Sequence, residues 1–453
     1  MSGDAGDTIV ALATAPGRGA IAVVRLSGAG AGGIAARVVR PWPISPRAAT
    51  LCEVRASSGE QLDRALVTFY EGPRSFTGED TVEIACHGGW VVPTSVMAAL
   101  IEAGAREALP GEFTRRAVLN GKLDVLQAEA VGDLVDARSR GGQRAAINQL
   151  DGGLSRRVLA LRESLLELEA LIAYDIDFPE EDDGPVAPER IAGAADRTLA
   201  ALDDLLATAR AGELIREGAL IVIAGAPNVG KSSLFNALLG RRRAIVTDTP
   251  GTTRDALEAL IDAERWPIRL VDTAGLRETA DVVERLGIEV SEDYLARADA
   301  VLACGDDDQT LAHAVDVIRQ RTEAPVLAVR TKIDLTTRVA GRGEAVGEAV
   351  AVSAETGVGL SELVTAITTT LSACQRPPDL DAPILTHVRH RHAIQRARDE
   401  LAAFRGARLD AQLPAPVAAV HLRAAVHALE ELVGAVDVED VLERVFASFC
   451  VGK

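Results

Sequence analysis

Cysteine is scarce and unpatterned in this 453-residue chain: Cys52, Cys86, Cys304, Cys374 and Cys450 show no paired spacing. Neither a disulfide framework nor a zinc site is suggested, and a reducing cytoplasm fits. Positive charge is also short, with 48 Lys and Arg against 66 Asp and Glu and a formal net charge of −18. That balance argues against blanket electrostatic attraction to nucleic acid, so an RNA contact would need a local basic patch. Arg389, Arg391, Arg396 and Arg398 could form one, or could be a solvated helix face with partners among Asp399 and Glu400. No apolar run approaches the ~18 residues that span a bilayer. The start Met1-Ser2-Gly3-Asp4 lacks the basic and apolar regions of a signal peptide. A soluble, cytoplasmic protein with no membrane partner is expected.

Apolar residues, by contrast, make up 48% of the chain, ample for packed cores in the two to four domains that its length implies. The sequence is organised around Gly225-Ala226-Pro227-Asn228-Val229-Gly230-Lys231-Ser232-Ser233. This stretch follows the apolar run Leu220 to Ile223 and precedes the helical pattern Leu234, Phe235, Leu238 and Leu239. A strand that aims a glycine loop at a helix N-terminus surrounds a polyphosphate with backbone N–H groups and the positive end of the helix dipole. Gly225 and Gly230 permit the turn, Lys231 reaches the β- and γ-phosphates, and the Ser232 hydroxyl is placed to bind Mg²⁺.

Three further elements follow in the order a guanine-nucleotide switch requires. Asp272-Thr273-Ala274-Gly275 ends the apolar stretch Ile268 to Val271. Its Asp can hold the metal through water and its Gly N–H can meet the γ-phosphate. Thr331-Lys332-Ile333-Asp334 ends the run Val326 to Val329. The carboxylate can accept from the guanine N1–H and 2-amino group, a donor pair that adenine lacks. Ser353-Ala354-Glu355 follows Ala349 to Val352 and supplies a backbone contact to the base carbonyl. GTP is therefore favoured over ATP. Thr331 stands where many GTPases have Asn, which leaves the contact on the N7 side of the base open and weakens nucleotide binding.

From the N-terminus, short apolar strands (Ile9 to Ala13, Ile21 to Leu26, Leu66 to Tyr70, Thr81 to Ala85) alternate with Gly- and Pro-rich turns, and one helix covers Val92 to Ala103. From Leu123 to about Gly212 the pattern is helical. Leu154, Val158, Leu161, Leu165, Leu168 and Ile172 form one apolar seam, which the acidic stretch Asp175 to Gly184 interrupts. Helices resume near His387, and Val438, Val441, Leu442, Val445, Phe446 and Phe449 mark one face, with Asp437 and Asp440 at its start. Each flanking helical stretch needs another to bury its seam, so the economical reading is a nucleotide domain inserted into one helical domain. The expected domains are 1–121, 122–218, 219–373 and 374–453. The fold class is α/β plus all-α, with a parallel doubly wound sheet in the inserted P-loop domain.

Many switch GTPases place a Gln directly after Asp-x-x-Gly to orient the attacking water. Here that residue is Leu276, so the group must come from elsewhere, and Arg277 to Glu284 offers several carboxylates. Charge on the β–γ bridge must also be neutralised. Arg254 is one candidate; a monovalent cation held by the Asn228 carbonyl with threonine and backbone oxygens is the other, and such ligation suits K⁺.

These residues resemble the tRNA-modification GTPase MnmE (TrmE) family nearly end to end. The resemblance rests on Gly-x-Pro-Asn-x-Gly-Lys-Ser, Gly251-Thr252-Thr253-Arg254-Asp255 and Asp-Thr-Ala-Gly-Leu-Arg. It rests further on Pro16-Gly17-Arg18-Gly19, Phe76-Thr77-Gly78-Glu79-Asp80, His87-Gly88-Gly89, Pro110-Gly111-Glu112-Phe113, Lys122-Leu123-Asp124 and the terminal Cys450-Val451-Gly452-Lys453. It implies an N-terminal domain that dimerises and binds 5-formyl- or methylene-tetrahydrofolate, with Arg25, Glu83, Lys122 and Lys453 in the pocket. Glu83 would accept the adjacent donors of the pterin, or form a strand salt bridge with Arg25. The resemblance also implies GTP held by the motifs above together with Thr247, Asp248, Thr249, Pro250, Gly251, Thr252 and Thr253. K⁺ would lie among Asn228, Thr247, Thr249 and Thr252, and Mg²⁺ between Ser232 and Thr253. Glu284 would align the water, and Cys450 would be either a reactive thiol near Lys453 or a passive one. The implied activity is K⁺-activated GTP hydrolysis by a homodimer. With a FAD- and NADH-dependent MnmG-type partner, as a heterotetramer, it would modify C5 of the wobble uridine of certain tRNAs. A ribosome-assembly switch whose nucleotide state only controls docking is the rival reading.

Overall fold

The computed structural model describes residues 7–177, 187–241, 257–263, 266–272, 293–335, 349–375, 379–410, 413–434, 449 and 452. They fall into two compact units, Met1–Gly132 with Leu429–Lys453, and Asp133–Ala428.

The first unit holds a seven-stranded sheet. Its strands are β1 (Ile9–Leu12), β2 (Gly17–Ser27), β3 (Val39–Arg40), β4 (Thr50–Arg55), β5 (Gln61–Tyr70), β6 (Thr81–Gly89) and β7 (Arg106–Glu107), in the order β3-β4-β5-β6-β2-β1-β7. The four strands expected from sequence are present, joined by β3, β4 and β7. Helix α1 (Ala31–Val38) was not foreseen, because its two glycines mask a short apolar stripe: Ala31, Ile34, Ala35 and Val38 are buried, at i, i+3, i+4 and i+7. With α2 (Val92–Glu102) it helps form the core on one face of the sheet. On the other face Ile9 and Ala11 of β1 pack with Ala108 and with Phe113 of α3 (Glu112–Leu119).

At α3 lies a charge cluster in which the i,i+4 pair Glu112–Arg116 is local to the helix, while Asp7 and Glu79 come from distant parts of the chain. The Arg116 side chain, 8% exposed, bonds Asp7 at 2.7 Å and Glu79 and Glu112 at 3.1 Å. Arg106 reaches Asp7 at 2.5 Å and Glu112 at 2.6 Å. Burial alone would raise the Glu112 carboxyl, but the two guanidiniums and the Leu109 N–H outweigh it and hold the group below the usual carboxylate range. Glu79 and Glu112, read as motif residues, are therefore structural counter-ions here.

The second unit combines helices with a six-stranded sheet. In α6 (Gly153–Asp177) all six seam residues from Leu154 to Ile172 are buried, as their spacing requires. The helix runs through Asp175 to Asp177, where the sequence suggested a break; 178–186 lie outside the described residues. After α4 (Val125–Asp136), which enters this unit at Asp133, and α5 (Arg140–Leu150), helices α7 (Pro188–Leu206) and α8 (Ala209–Glu217) precede the sheet, and α12 (Val388–Arg405) and α13 (Ala415–Val433, in this unit to Ala428) follow it. Arg398 to Asp203 at 3.0 Å and Arg405 to Asp196 at 2.6 Å tie α12 to α7, and Arg423 to Glu169 at 2.9 Å ties α13 to α6. The helical layer is thus built from chain on both sides of the sheet. The seam from Val438 to Phe446 and its Asp437 and Asp440 start fall outside the described residues.

These pairs also decide the arginine cluster. Arg391 meets Glu213 at 3.1 Å and Arg398 is held between Asp203 and Asp399, while Arg389 and Arg396 also have partners. Two of the four arginines are thus paired with carboxylates, one of them Asp399.

The sheet comprises β8 (Ala219–Gly225), β9 (Leu257–Ala263), β10 (Trp266–Asp272), β11 (Ala300–Gly305), β12 (Val326–Arg330) and β13 (Val350–Ala351), in the order β13-β12-β11-β8-β10-β9. All neighbours run parallel except β9, which pairs antiparallel with β10 and adds an edge to the parallel sheet expected. One face packs against α9 (Lys231–Arg241) and α11 (Leu360–Cys374), the other against α10 (Asp308–Arg319). Covered on both faces, β8, β10 and β11 read as near-continuous apolar runs. The chain crosses from β10 on one side of β8 to β11 on the other. The carboxyl end of β8 is therefore the topological switch point, where ligands bind in such sheets.

Candidate functional site

At that end, the glycine loop leaves β8 through Gly225, whose φ is +153°; a Cβ there would lie 2.4 Å from the Cys304 carbonyl oxygen at the end of β11. Asn228 and Gly230 take left-handed conformations, with φ of 63° and 96°. They turn the chain into α9, whose first turn carries Ser232 and Ser233. The buried Lys231 bends back over its own loop and donates to the carbonyls of Gly225 at 3.0 Å and Ala226 at 2.7 Å. Asp272, fully buried, ends the adjacent β10. Both charges are felt at Cys304, whose thiol is pushed up to about 12. Burial is the main cause, Lys231 pulls the value down and Asp272 pushes it up. A phosphate chain laid on this loop would meet one ammonium, the N–H groups of a helix start and, for its metal, a serine hydroxyl and a carboxylate. These are hard oxygen donors of the kind Mg²⁺ takes. For a monovalent cation the described donor is the Asn228 side chain, since its backbone carbonyl already accepts from Lys332 Nζ at 2.5 Å.

The base-recognition segment is fixed from below. Thr331 is buried, and its Oγ1 lies 2.5 Å from the Val229 carbonyl and 3.2 Å from that of Gly305. Lys332 pairs with Asp306 at 3.0 Å. Asp334 lies in the short 3₁₀ turn Ile333–Leu335. Its Oδ1 accepts from the Ser353 hydroxyl at 2.6 Å, and the Ser353 Oγ accepts in turn from the Thr356 N–H at 3.1 Å. Sequence reading gave Ser353 a backbone role only; its fully buried hydroxyl orients the carboxylate as well. The signal available was a hydroxyl next to the base loop at a strand end.

Thr247 to Thr253, Arg254, Thr273 to Leu276, Glu284, Cys450 and Lys453 lie outside the described residues. Of the loop-motif residues, the structure brings together 225–233, Asp272, 331–334 and 353–355 at the carboxyl ends of neighbouring strands.

In the first unit Arg25 and Glu83 face each other across β2 and β6 and form an ion pair of 2.8 Å, each side chain about a quarter exposed. The salt bridge is thus made. The other carboxylate oxygen, Oε2, accepts from the Tyr70 hydroxyl at 3.5 Å. The Arg25 guanidinium lies 6.0 Å from the Phe76 ring and 5.8 Å from Phe113. Lys122 Nζ donates to Pro73 O at 3.0 Å, so it borders the same 73–80 loop that carries Phe76. Gly452, with φ +102°, is seated against β1 so closely that a Cβ would lie 2.4 Å from the Leu12 carbonyl. Of the C-terminal tetrapeptide, Gly452 alone is among the described residues. Ile21, Leu51 and Leu66 stand exposed on the sheet, with Trp90 and Val91 exposed beyond β6.

A family model described as the MnmE helical domain matches residues 125–450, and one described as the GTP-binding protein TrmE N-terminus matches residues 8–122. The chain is 40% identical over 452 residues to a "tRNA modification GTPase MnmE" of Aquifex aeolicus, covering 99% of this chain and 100% of the relative. It is 41% identical over 467 residues to that of Heliobacterium modesticaldum, with 99% and 100% covered. To that of Moorella thermoacetica it is 42% identical over 463 residues, with 99% of both covered. Among solved structures, the G domain of the T. maritima FeoB iron transporter is 28% identical. It covers 33% of this chain and 96% of that one at a TM-score of 0.26, too low for the overlay to carry an argument.

Proposed function

The chain belongs to the MnmE family of tRNA-modification GTPases, and from that premise we propose a K⁺-activated GTP hydrolase whose cycle serves modification of C5 of the wobble uridine of certain tRNAs. In this reading an aminomethyl or carboxymethylaminomethyl group is installed with a FAD-dependent MnmG-type partner, and the one-carbon unit comes from a formyl- or methylene-tetrahydrofolate. The observation that carries the nucleotide half is the pair of loops at the switch point, with Lys231 over the phosphate loop and Asp334 oriented by Ser353. Residues 1–121 are proposed as the folate and dimerisation domain, 122–218 with 374–453 as the helical domain, and 219–373 as the inserted G domain. The exposed apolar residues Ile21, Leu51 and Leu66 support pairing of two copies through the first unit. Among the described residues no helix is long and apolar enough to cross a membrane. The proposed enzyme is cytoplasmic and assembles with its partner as a heterotetramer.

On binding, Lys231 exchanges the Gly225 and Ala226 carbonyls for β- and γ-phosphate oxygens. Asp334 accepts from the guanine N1–H and 2-amino group. Ser232 and Thr253 would hold Mg²⁺, and Asn228 with Thr247, Thr249 and Thr252 would hold K⁺. Bound there, the two cations neutralise charge developing on the phosphoryl oxygens. The other motif positions, Asp248, Pro250, Gly251, Thr273, Ala274 and Gly275, contribute backbone around the phosphates, and Glu284 aligns the water. In the first unit Glu83 accepts the pterin donors, with Arg25, Lys122 and Lys453 around the rest of the folate. Cys450, three positions before Lys453 in sequence, is either a reactive thiol or a passive one.

Replacing K⁺ by Na⁺ at equal ionic strength is expected to lower kcat roughly tenfold or more, since one electrostatic contact to the transition state is lost. Equal rates would return Arg254 to that role. Separately, tRNA from cells lacking the protein should lose its modified wobble nucleoside while the unmodified uridine accumulates. Intact wobble nucleosides together with a ribosome-assembly defect would favour the docking switch instead.

A further inference from the structure

Thr331 is the place where the base-recognition segment departs from the usual Asn, and its hydroxyl has a visible task. The residue is 4% exposed. Its backbone N–H donates to Gly305 O at 2.9 Å, while Oγ1 lies 2.5 Å from Val229 O and 3.2 Å from Gly305 O. Both carbonyls are acceptors only, and a hydroxyl has a single proton. The shorter contact commits that proton to Val229, in the middle of the phosphate loop. The next residue, Lys332, holds the preceding loop carbonyl, that of Asn228, at 2.5 Å. Two consecutive carbonyls of the phosphate loop are thus tied to two consecutive residues of the base segment.

Guanine N7 is a lone-pair acceptor, so reading it takes a proton donor. A carboxamide carries two N–H donors and can brace the loop with one while offering the other to N7; a hydroxyl must choose. We infer that Thr331 is a positioning residue that braces the phosphate loop through Val229 and leaves guanine N7 unread, so that this chain accepts guanine nucleotides altered at position 7. The inference rests on the reading above that guanine is seated on Asp334. Discrimination then rests on the N1–H and 2-amino edge, and much of the affinity on the phosphate loop that Thr331 holds in shape.

The test is competition binding of GTP, 7-deaza-GTP and ATP against a fluorescent GDP on the full chain. The wild type should bind 7-deaza-GTP within about twofold of GTP and ATP at least about tenfold more weakly. With Thr331→Asn, 7-deaza-GTP should fall about fivefold or more behind GTP, because a second donor now reaches N7. With Thr331→Val, which keeps the shape and removes the proton, GTP and 7-deaza-GTP should weaken together by about tenfold, and Thr331→Ser should restore both. A wild type that binds 7-deaza-GTP about tenfold more weakly than GTP overturns the inference while leaving the guanine assignment standing. So does a Thr331→Val variant that loses affinity for GTP alone, or for neither ligand. Should Thr331→Val fail to fold, the wild-type ratio decides by itself. Equal binding of ATP and both guanine nucleotides would overturn the underlying reading instead.

Discussion

GTP turnover by a Glu284→Ala variant is expected to fall about 10²-fold or more with GTP affinity unchanged, the scale for removing a positioned catalytic group. The vacancy comes first: Leu276 cannot orient water. The described carboxylates around the phosphate loop do not fill it. Asp272 is buried at the end of β10, Asp306 is held by Lys332 at 3.0 Å, and Asp334 is bonded by Ser353 on the base side. The water-aligning group must then come from another stretch. Arg277 to Glu284, nine residues beyond Gly275 at its end, is the stretch the family resemblance selects, and it lies outside the described residues. Single-turnover hydrolysis with saturating K⁺, alongside an independent measure of nucleotide affinity, separates chemistry from binding. K⁺-dependent pairing of G domains should persist in the variant, and wobble modification should fail if hydrolysis is coupled to it. Hydrolysis at the wild-type rate would move the role to Glu278 or Asp281.

What was legible in the sequence was what local periodicity can carry. The α6 seam was readable because a single helix buries every one of its six positions, and β8 because burial on both faces leaves an unbroken apolar run. The phosphate loop was readable because its backbone needs glycines and its ligand needs a lysine at fixed spacing. Pairings between distant residues were not readable. Arg116 meets Asp7 across 109 positions, and His87 is held by Asp63, whose carboxylate accepts from both its backbone N–H and its ring. No short window of sequence contains those partners, so Glu79 and His87 stood out only as motif letters, whereas Glu112 has Arg116 one helical turn on and Arg106 shortly before it. For the arginines of α12 the local partner Asp399 was readable, but Asp203 and Glu213 belong to helices before the sheet and were not. At the base site Asp334 could be found from spacing, but its orientation by Ser353 required the fold to bring β12 and β13 side by side.

That orientation makes the Asp334→Asn substitution a directed change rather than a loss. Ser353 Oγ accepts from the Thr356 N–H at 3.1 Å, so its own proton is available only for donation to residue 334, at 2.6 Å. An amide placed there satisfies that proton by turning its oxygen to Ser353 and its NH₂ to the base. Against guanine, that NH₂ opposes the N1–H and 2-amino donors, donor against donor. Against xanthine, whose C2 carries a carbonyl, it finds an acceptor. GTP affinity should therefore fall about tenfold or more, and xanthosine triphosphate should gain by a similar factor, so that the preference inverts. Adding Ser353→Ala should shrink the inversion, because the amide is then free to rotate and offer either edge. Titration of GTP and xanthosine triphosphate against both variants reads the effect directly. Unchanged GTP binding by Asp334→Asn would remove Asp334 from base recognition. A full inversion that survives Ser353→Ala would keep Asp334 in place and assign its orientation to the bound base.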